Sequence, residues 1–348
     1  MAVRLAINGF GRIGRLVLRA LIESGRNDLE IVGINDLGPV DTNAHLLRYD
    51  TIHGRYPGTI ETRKDAMDVG RGWIRVAAER DPGKLPWAEL GVDIALECTG
   101  LFTDRAKASA HLAAGAKRVL ISAPSADADI TVVHGINDDA IKAAHKVVSN
   151  GSCTTNCVVP VAYVLHQAVG IERGFMTTVH SYTGDQPVLD TLHRDLYRGR
   201  AAAMSMIPTT TGAARAVALV LPELKGKLDG TSIRVPTPNV SLIDFTFAAR
   251  KATTVEAINA AIVAAAKGRL AGILATNDQP LVSSDFNHSP ASSTFDLGQT
   301  QVVDFHQNTL TPGLYSLLQF DRARRIDHVR VLARSMSREA QIGLEMER

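Results

Sequence analysis

The sequence predicts an α/β protein of two domains: a doubly wound parallel sheet, followed by an α+β domain with a mostly antiparallel sheet. At 348 residues the chain is too long for one ordinary hydrophobic core. Short strands and helices alternate up to about residue 150, and longer β-like runs follow. We predict domains at residues 1–152 and 153–333, with a C-terminal tail, about residues 334–348, that rejoins the first domain.

The first 36 residues predict a βαβ unit. An apolar strand at residues 3–7 is followed by a glycine turn, a helix at about residues 12–24 and a second strand that ends at Asp36. Apolar side chains recur along the helix at spacings of three and four, which gives it one stripe to lie on a parallel sheet. The stripe consists of Ile13, Leu16, Val17, Ala20 and Leu21.

The same alternation continues through the rest of the first domain. Strands are predicted at VDIALECTG, KRVLISAP and KVVSN, separated by the helical DRAKASAHLAAG and the shorter NDDAIKAA. An alternating order of strand and helix is typical of a doubly wound sheet.

A different pattern begins at SCTTNC, where we predict a helix start. Beyond it lie the β-like runs FMTTVHSY and TSIRVPTPNVSLIDFTFAAR, and a helix in TTVEAINAAIVAAAKG whose Thr253 and Glu256 suit a capping box. Residues 181–206 have weak periodicity and many polar groups, which predicts a long surface loop with a function or a partner.

The composition excludes several classes of partner. Thirty-eight basic and 36 acidic side chains give a net charge of +2, too even for a dedicated nucleic-acid surface. Three cysteines do not make a disulfide framework, and the first residues lack the apolar run of a signal peptide. No apolar segment reaches the roughly 20 residues of a membrane span. We therefore expect a cytoplasmic protein without nucleic-acid or membrane partners.

The segment INGFGRIG predicts a dinucleotide site. Gly9, Gly11 and Gly14 follow a strand and begin a helix, where the backbone can approach a pyrophosphate that the helix N-terminus stabilises. Asp36 ends the next strand, 22 positions after Gly14, where a carboxylate can accept hydrogen bonds from a ribose. Because its negative charge repels a 2′-phosphate, this Rossmann-type unit is expected to bind NAD rather than NADP.

Cys153 is the candidate nucleophile. It begins the predicted helix between Ser152 and Thr154, and the positive end of a helix dipole lowers the pKa of a thiol. An inert core position is the usual place for a cysteine, and we expect it for Cys157, but the hydroxyl-rich flank of Cys153 argues against burial. The Cys-x-x-x-Cys spacing is not a zinc spacing and no second pair completes it, so we expect no metal.

His180 is the candidate base for this nucleophile. It lies at the end of the apolar run TTVH, and the rigid end of a strand can aim an imidazole into a cleft. The chain has 11 histidines, and a single histidine is more often structural or on the surface. The residues alone therefore leave the choice of base open.

Five motifs occur in one order along the chain: INGFGRIG, SNGSCTTNC, TTVHSYTGDQ, IPTTTGAARAV and IRVPTPNVS. From residue 1 to about 300 the chain closely resembles the phosphorylating glyceraldehyde-3-phosphate dehydrogenase family, of the NAD-preferring type I. These motifs are long and rarely shared outside that family and the related erythrose-4-phosphate dehydrogenases.

The resemblance implies a role for each matching residue. Cys153 would be the nucleophile and His180 the base that activates it. Besides the three glycines, the family's NAD contacts match Arg12, Ile13, Asp36, Arg80, Thr99 and Ser122. The contacts to the substrate phosphate match Thr183, Arg198 and Arg234, and those to inorganic phosphate match Ser152, Thr154, Thr211 and Gly212.

The reaction that the resemblance implies is the NAD-dependent oxidation of D-glyceraldehyde 3-phosphate, with inorganic phosphate as the second partner, to 1,3-bisphosphoglycerate. It would proceed through a thiohemiacetal and a thioester on Cys153 in the second, catalytic domain. Residues 181–206 resemble the family's subunit-contact loop, which implies a homotetramer. Erythrose 4-phosphate as the substrate, or a weakly active binding homologue, are the alternatives. Glycolysis, gluconeogenesis and carbon fixation are all compatible with this reaction.

The resemblance ends near residue 305. Family members continue with a segment whose asparagine binds the nicotinamide amide and with a long closing helix, and neither is recognisable here. In their place VRVL predicts a last strand and SREAQIGLEME a short closing helix, while Asn308 is given no role. A true divergence and a late change of reading frame both explain this end.

Overall fold

The computed structural model describes residues 2–304 and 312–320, which form two compact units that meet in sequence between residues 151 and 152. Each unit has its own main β-sheet. The predicted tail, about residues 334–348, and with it the strand VRVL and the helix SREAQIGLEME, lies outside the described residues. Within the described part, no helix is both long and apolar enough to cross a membrane.

The described residues of the first unit contain eleven strands and four α-helices. The strands are β1 Val3–Asn8, β2 Leu29–Asn35, β3 Tyr49–Asp50, β4 Gly54–Arg55, β5 Glu61–Arg63, β6 Ala66–Asp68, β7 Trp73–Ala77, β8 Ile94–Glu97, β9 Arg118–Ile121, β10 Ile130–Thr131 and β11 Val147–Ser149. The helices are α1 Arg12–Glu23, α2 Val40–Arg48, α3 Arg105–Ala108 and α4 Ala110–Ala113.

The main sheet of this unit has the strand order β10-β11-β9-β8-β1-β2-β7-β6-β5. The strands from β10 to β7 are parallel, and β6 and β5 extend the sheet in antiparallel pairs. The chain starts at β1 in the middle and continues to β2 on one side and to β8 on the other, as in doubly wound sheets. The predicted parallel sheet is confirmed, whereas its antiparallel extension was not predicted.

Both faces of the parallel sheet are covered, because successive side chains of β1 point to opposite sides. Leu5 and Ile7 lie in one core with Val17 of α1. Ala6, between them, lies in a second core with Trp87. The predicted apolar stripe of α1 therefore does pack against the sheet, and the helix ends one residue before the predicted position.

Two predicted helices of the first unit differ in the structure. The segment DRAKASAHLAAG forms two short helices, α3 and α4, because the hydroxyl of Ser109 between them donates to the carbonyl of Arg105 at 2.7 Å. The segment NDDAIKAA forms only the 3-10 turn Asp138–Ala140. The Asn137 side chain before it binds backbone groups of residues 131 and 133 instead of capping a helix.

The described residues of the second unit contain eight strands and three α-helices. The strands are β12 Ile171–Ser181, β13 Ile207–Thr210, β14 Leu228–Val235, β15 Ser241–Ala249, β16 Leu274–Asn277, β17 Ser293–Asp296, β18 Gln301–Asp304 and β19 Pro312–Phe320. The helices are α5 Cys153–Ala168, α6 Ala213–Val220 and α7 Val255–Lys267.

The sheet of the second unit has the order β13-β14-β12-β15-β19-β17-β16, with β18 paired to β19. β12 and β14, and likewise β16 and β17, pair in parallel, while the other described pairings are antiparallel. The prediction of a mostly antiparallel sheet is therefore confirmed. Helix α5 packs against this sheet and against α6 and α7.

The run TSIRVPTPNVSLIDFTFAAR is divided into β14 and β15. Pro236 and Pro238 lie between them and have no N–H to donate to a sheet. The capping prediction for α7 is wrong by one residue: Thr254, not Thr253, is the N-cap, and its hydroxyl accepts a hydrogen bond from the N–H of Ala257 at 3.2 Å. Two adjacent threonines suit this position equally well in sequence.

Candidate active site

The glycine turn between β1 and α1 is shaped by contacts that exclude larger residues at two of its glycines. Gly9 has a φ of 91°, and a Cβ there would lie 2.7 Å from the backbone nitrogen of Thr99. A Cβ on Gly14 would lie 2.2 Å from the carbonyl oxygen of Gly9. Gly11, the N-cap of α1, faces open space, with no atom within 4 Å of a Cβ position. The helix N-terminus is therefore accessible there to an anion.

Asp36 follows β2 and connects it to the glycine turn. Its Oδ2 accepts a hydrogen bond from the backbone N–H of Phe10 at 2.9 Å. Its Oδ1 accepts one from the N–H of Gly38 at 2.9 Å and one from Nδ2 of Asn43 at 3.3 Å. Because a carboxylate has about four acceptor positions, Asp36 keeps capacity for a ligand. The contact with Phe10 adds a structural role that the sequence did not predict.

A cavity of about 370 Å³ lies at the carboxyl ends of the parallel strands, where open α/β sheets bind ligands. It brings together five of the predicted cofactor contacts, namely Gly9, Gly11, Asp36, Arg80 and Thr99. A second cavity in this unit, of about 380 Å³, is lined by residues such as Ala2 and Leu29 and by none of the predicted contacts. We therefore take the first cavity as the candidate cofactor site.

The other four predicted cofactor contacts do not line this cavity in the described structure. Arg12 forms an ion pair with Asp50, with Nη1 and Oδ2 at 2.9 Å, and Ile13 packs against the core. Gly14 allows the close approach of Gly9 described above. The backbone N–H of Ser122 donates to the carbonyl of Glu97 at 3.0 Å, which places Ser122 beside the end of β8.

Cys153 is the first residue of α5, and Ser152 is the N-cap. The Oγ atom of Ser152 accepts a hydrogen bond from the N–H of Thr155 at 3.0 Å, so the helix starts firmly at the cysteine. Cys153 is partly exposed, whereas Thr154 and Thr155 are buried. The predicted position of this thiol at the positive end of a helix dipole is thus confirmed.

Cys153 and His180 are in hydrogen-bonding contact, with Sγ and Nε2 separated by 3.2 Å. His180 lies near the end of β12 and is buried. Its Nδ1 lies 2.7 Å from the carbonyl oxygen of Ser181, which can only accept, so Nδ1 carries a proton and donates it to that bond. In the neutral ring the lone pair of Nε2 therefore faces the thiol, as a base requires.

The other two cysteines have different surroundings. Cys157 is buried beside Ser293, with Sγ and Oγ at 3.3 Å, and burial raises the pKa of its thiol. Burial likewise raises the pKa of Cys98 to about 12, although part of this residue reaches the cofactor cavity. Among the described residues, no group of three or more His, Cys, Asp or Glu side chains is arranged to hold a metal ion.

The three residues predicted to bind the substrate phosphate lie together. Nη1 of Arg234 donates to the carbonyl of Ser181 at 3.0 Å and to Oγ1 of Thr183 at 3.2 Å. Nη1 of Arg198 donates to Oδ2 of Asp185 at 3.3 Å, and the Thr183 hydroxyl donates to Oδ1 of the same carboxylate. Because the Ser181 carbonyl accepts from both Arg234 and His180, the arginine cluster is directly connected to the base.

Asp185 is a member of this cluster that the sequence analysis missed. Burial alone raises the pKa of its carboxyl group, but the Thr183 hydrogen bond and the charges of Arg234 and Arg198 outweigh it and lower that pKa overall. Arginine guanidinium groups bind carboxylates and phosphates alike, so Asp185 occupies the kind of donor-rich, cationic position that also suits a phosphate. An acidic residue two positions after Thr183 in TTVHSYTGDQ was the available sequence signal.

The residues predicted to bind inorganic phosphate lie at two helix starts. Ser152 and Thr154 begin α5, and Thr211 and Gly212 precede α6. Oγ1 of Thr211 accepts from the N–H of Ala213 at 3.2 Å, while the N-cap Gly212 has no side chain to cap the helix. First-turn N–H groups of helices bind anions, so the chemistry of both positions suits phosphate.

Comparison with protein families matches both units. Residues 3–105 match the model "Glyceraldehyde 3-phosphate dehydrogenase, NAD binding domain", and residues 152–311 match "Glyceraldehyde 3-phosphate dehydrogenase, C-terminal domain". A glyceraldehyde-3-phosphate dehydrogenase of Xanthobacter flavus is 69% identical over 304 residues, which cover 87% of this chain and 91% of the relative. The chain belongs to the glyceraldehyde-3-phosphate dehydrogenase family.

Further relatives support this membership. A protein of the same name from Cereibacter sphaeroides is 64% identical over 304 residues, 87% of this chain and 91% of the relative. Another from Geobacillus stearothermophilus is 57% identical over 305 residues, 87% and 90% of the two chains. The predicted family and the predicted cofactor, NAD, are confirmed, and nothing in these comparisons favours erythrose 4-phosphate.

Proposed function

We propose that this member of the dehydrogenase family oxidises D-glyceraldehyde 3-phosphate with NAD and transfers the acyl group to inorganic phosphate, giving 1,3-bisphosphoglycerate. The observation that carries the proposal is the 3.2 Å contact between Sγ of Cys153 and Nε2 of His180 at the start of α5. It combines a nucleophile, an oriented base and a helix N-terminus in one place.

The first step is attack of the Cys153 sulfur on the aldehyde. His180 accepts the thiol proton at Nε2 while its Nδ1–H stays bonded to the Ser181 carbonyl, so the ring keeps its orientation. A C–S bond then forms as the C=O double bond opens. The His180 imidazolium returns its proton to the new alkoxide oxygen, which gives a thiohemiacetal on Cys153 and a neutral base. The α5 dipole stabilises the negative sulfur before attack.

The oxidation leaves a thioester on Cys153. When bound, NAD would supply the hydride acceptor that this oxidation requires. The same base accepts the hydroxyl proton, and the C–O bond becomes a carbonyl. Inorganic phosphate then attacks that carbonyl, the C–S bond breaks, and the sulfur leaves as a thiolate at the helix N-terminus.

The two phosphate groups would be held by separate sets of residues. Arg234, Arg198 and Thr183 supply charged and neutral donors for the substrate phosphate, and a bound phosphate would replace Asp185 as their partner. Ser152, Thr154, Thr211 and Gly212, at the starts of α5 and α6, supply hydroxyl and N–H donors for inorganic phosphate. These assignments rest on the position and chemistry of each residue.

The residues of the first unit fit a dinucleotide. The exposed backbone at Gly11, at the N-terminus of α1, is suited to the pyrophosphate, and the spare acceptor capacity of Asp36 is suited to a ribose hydroxyl. Arg80 and Thr99 line the same cavity. Arg12 and Ile13 follow Gly11 directly in α1, and Ser122 follows the last residue of β9.

We also propose that the chain assembles into a homotetramer. Beyond Ser181, the last residue of β12, the predicted surface loop of residues 181–206 contains no helix or strand. Its exposed apolar side chains include Val188, Leu189, Leu192, Leu196 and Met204. Leu192 is 99% exposed and Leu196 is 84% exposed, and apolar groups this concentrated are typical of a contact between subunits. A cytoplasmic location and a role in central carbon metabolism stay predictions.

The test is the formation of NADH from glyceraldehyde 3-phosphate by the purified chain. We expect absorbance at 340 nm to rise when NAD and substrate are present with phosphate or arsenate, and to stop after about one turnover per site when both are omitted. Equal steady rates with and without an acceptor would contradict transfer to phosphate. No NADH at all would contradict the proposed reaction.

A further inference from the structure

A cluster of polar side chains lies in the first unit at the cofactor cavity, and all of them except the partly exposed Thr99 are buried. It consists of Asn8, Asn35, Trp87, Glu97, Thr99 and His111, which we call the Glu97 cluster. Glu97 is 1% exposed, and His111 and Trp87 are fully buried. An isolated carboxylate in such a position is strongly destabilising, so its partners must compensate. The reaction described above gives Glu97 no role.

The sheet register places three members of this cluster side by side. Asn8 is paired with Asn35 across β1 and β2, and with Glu97 across β1 and β8. All three close the carboxyl ends of parallel strands. Nδ2 of Asn35 donates to Oδ1 of Asn8 at 2.7 Å, and Nδ2 of Asn8 donates to Oε2 of Glu97 at 2.6 Å. A chain of hydrogen bonds therefore crosses the point where the strand order changes direction.

The state of His111 follows from its neighbours. The indole Nε1–H of Trp87 can only donate, and it donates to Nδ1 of His111 at 2.9 Å. Nδ1 is therefore an acceptor, and in the neutral ring the proton lies on Nε2. Nε2–H then donates to Oε2 of Glu97 at 3.0 Å. The pair is an imidazole that donates to a carboxylate, and Trp87 fixes its tautomer.

The other oxygen of Glu97 holds Thr99. Oε1 accepts from the backbone N–H of Thr99 at 2.8 Å and from its hydroxyl. The same Thr99 oxygen accepts from the N–H of Leu101 at 3.0 Å. The Glu97 carboxylate thus accepts four hydrogen bonds, two on each oxygen, which matches the acceptor capacity of an ionised carboxylate.

These bonds control the wall of the cofactor cavity. Thr99 and Leu101 line it, and the backbone nitrogen of Thr99 lies against Gly9, where a Cβ would be only 2.7 Å away. On the other side, Asn35 accepts from the N–H of Glu79 and donates to its carbonyl, each at 2.8 Å, which holds the segment before Arg80. The cluster therefore links three loops that surround one cavity.

We propose that Glu97 is a positioning residue for NAD: through Thr99 it fixes the cavity wall against the glycine turn, so that the site is formed before the cofactor arrives. This inference rests on the cofactor site described under the proposed function. Pre-formed sites bind more tightly because less of the protein must be ordered on binding. Loss of the carboxylate should weaken NAD binding without altering the thiol of Cys153.

The experiment measures the dissociation constant of NAD alone, by calorimetry, for the purified full chain and for Glu97→Gln. Gln keeps the size of the side chain but places an amide nitrogen against groups that already donate. We expect the Kd for NAD to rise about tenfold, as for the loss of one charge-assisted hydrogen bond. The rate at which iodoacetamide alkylates Cys153 should remain within about twofold of the wild type.

Asp93→Asn is the matched control. Asp93 precedes β8 at its opposite end, and its carboxylate also accepts from a backbone N–H, that of Arg4 at 2.8 Å, and from Nζ of Lys117 at 2.7 Å. This variant should lose stability through a similar contact but keep the Kd for NAD within about twofold. If the Kd for NAD rose as much in Asp93→Asn as in Glu97→Gln, general destabilisation would explain both variants and the inference would be overturned.

Thr99→Val tests the route through Thr99. It removes one hydroxyl donor and keeps the shape, and we expect about a threefold rise in Kd. The double variant, Glu97→Gln with Thr99→Val, should have a Kd for NAD close to that of Glu97→Gln alone, because both changes break the same contact. Fully additive effects, or an unchanged Kd in either variant, would overturn the inference. If Glu97→Gln does not fold, Thr99→Val alone decides by the same criterion. Failure of the wild type to bind NAD would contradict the cofactor site itself.

Discussion

The Asp36 carboxylate accepts a hydrogen bond from the backbone N–H of Phe10 at 2.9 Å, which connects the end of β2 to the middle of the glycine turn. The residue expected to select NAD over NADP therefore also holds the turn on which the pyrophosphate would lie. A substitution at Asp36 should change both the selectivity of the site and the stability of the fold.

Asp36→Ala is expected to weaken NAD binding about tenfold and to narrow the preference over NADP, because the ribose acceptor and the charge that repels a 2′-phosphate are both lost. The free energy of unfolding should fall by about 1–2 kcal/mol with the loss of the Phe10 contact. Calorimetry with both cofactors and urea unfolding measure the two effects. Asp68→Ala is the control, since Asp68 also caps backbone N–H groups, but in an exposed turn. An unchanged NAD preference in Asp36→Ala would contradict the selectivity argument.

Arg234→Lys is expected to raise the KM for glyceraldehyde 3-phosphate about 10- to 100-fold and to leave the Kd for NAD unchanged. A lysine cannot reproduce the forked donation of a guanidinium to a phosphate. Arg200→Lys is the matched control: Arg200 follows the cluster residue Arg198 in the loop of residues 181–206, but it pairs with Asp190 at 2.6 Å on the exposed surface. Steady-state kinetics measure both variants. Equal KM values in the two would remove Arg234 from the substrate-phosphate site.

The acid stability of the first unit should depend on Asp50. Burial raises the pKa of this carboxyl group, but the N–H groups of His53 and Ile52 and the charge of Arg12 outweigh it, so the net pKa is lowered. A lowered folded-state pKa stabilises the fold above the unfolded pKa, near 3.9, and that stability is lost as pH falls through the folded value. Asp50→Ala should cost about 1–3 kcal/mol at pH 7 and progressively less below about pH 4. Urea unfolding across this range measures it, and a cost that does not change with pH would contradict the ionic contribution.

Assembly should depend on the exposed apolar side chains of residues 181–206. Leu192→Asp is expected to shift the protein from a tetramer towards smaller species, because a charge at a desolvated contact costs several kcal/mol. Leu192→Met keeps the apolar surface and should keep the assembly. Light scattering after size-exclusion chromatography gives the mass of each variant. A wild type that elutes as a monomer, or an unchanged mass in Leu192→Asp, would contradict the subunit contact.

Local patterns in the sequence predicted the parts of the fold that depend on neighbours along the chain. The glycine turn, α1 and the start of α5 at Cys153 were predicted because their signals are spacings and caps within a few residues. The error at Thr253 had the same origin, since two adjacent threonines carry the same local signal. The antiparallel extension by β6 and β5 has no comparable signal, because strands of only three residues are too short to show a periodic pattern.

Roles that depend on distant partners could not be predicted in this way. Glu97 is paired with Asn8, 89 residues away, and VDIALECTG alone shows only an acidic residue at the end of an apolar strand. Asp185 became part of the arginine cluster only when β12 and β14 were paired in register, which sets His180 beside Arg234. The available sequence signal was an acidic residue at the end of a buried strand, because a buried charge requires hydrogen-bonding partners.

The central claim is that the environment of Cys153 makes its thiol a nucleophile. The most direct measurement is the rate of alkylation by iodoacetamide at pH 7 for each cysteine, followed by mass spectrometry of the peptides. We expect Cys153 to react at least about 100-fold faster than Cys98, whose pKa burial raises to about 12, and than the buried Cys157. Substitution of His180 by Gln should slow Cys153 and leave the other two unchanged. Equal, slow alkylation of all three cysteines in the wild type would contradict the account.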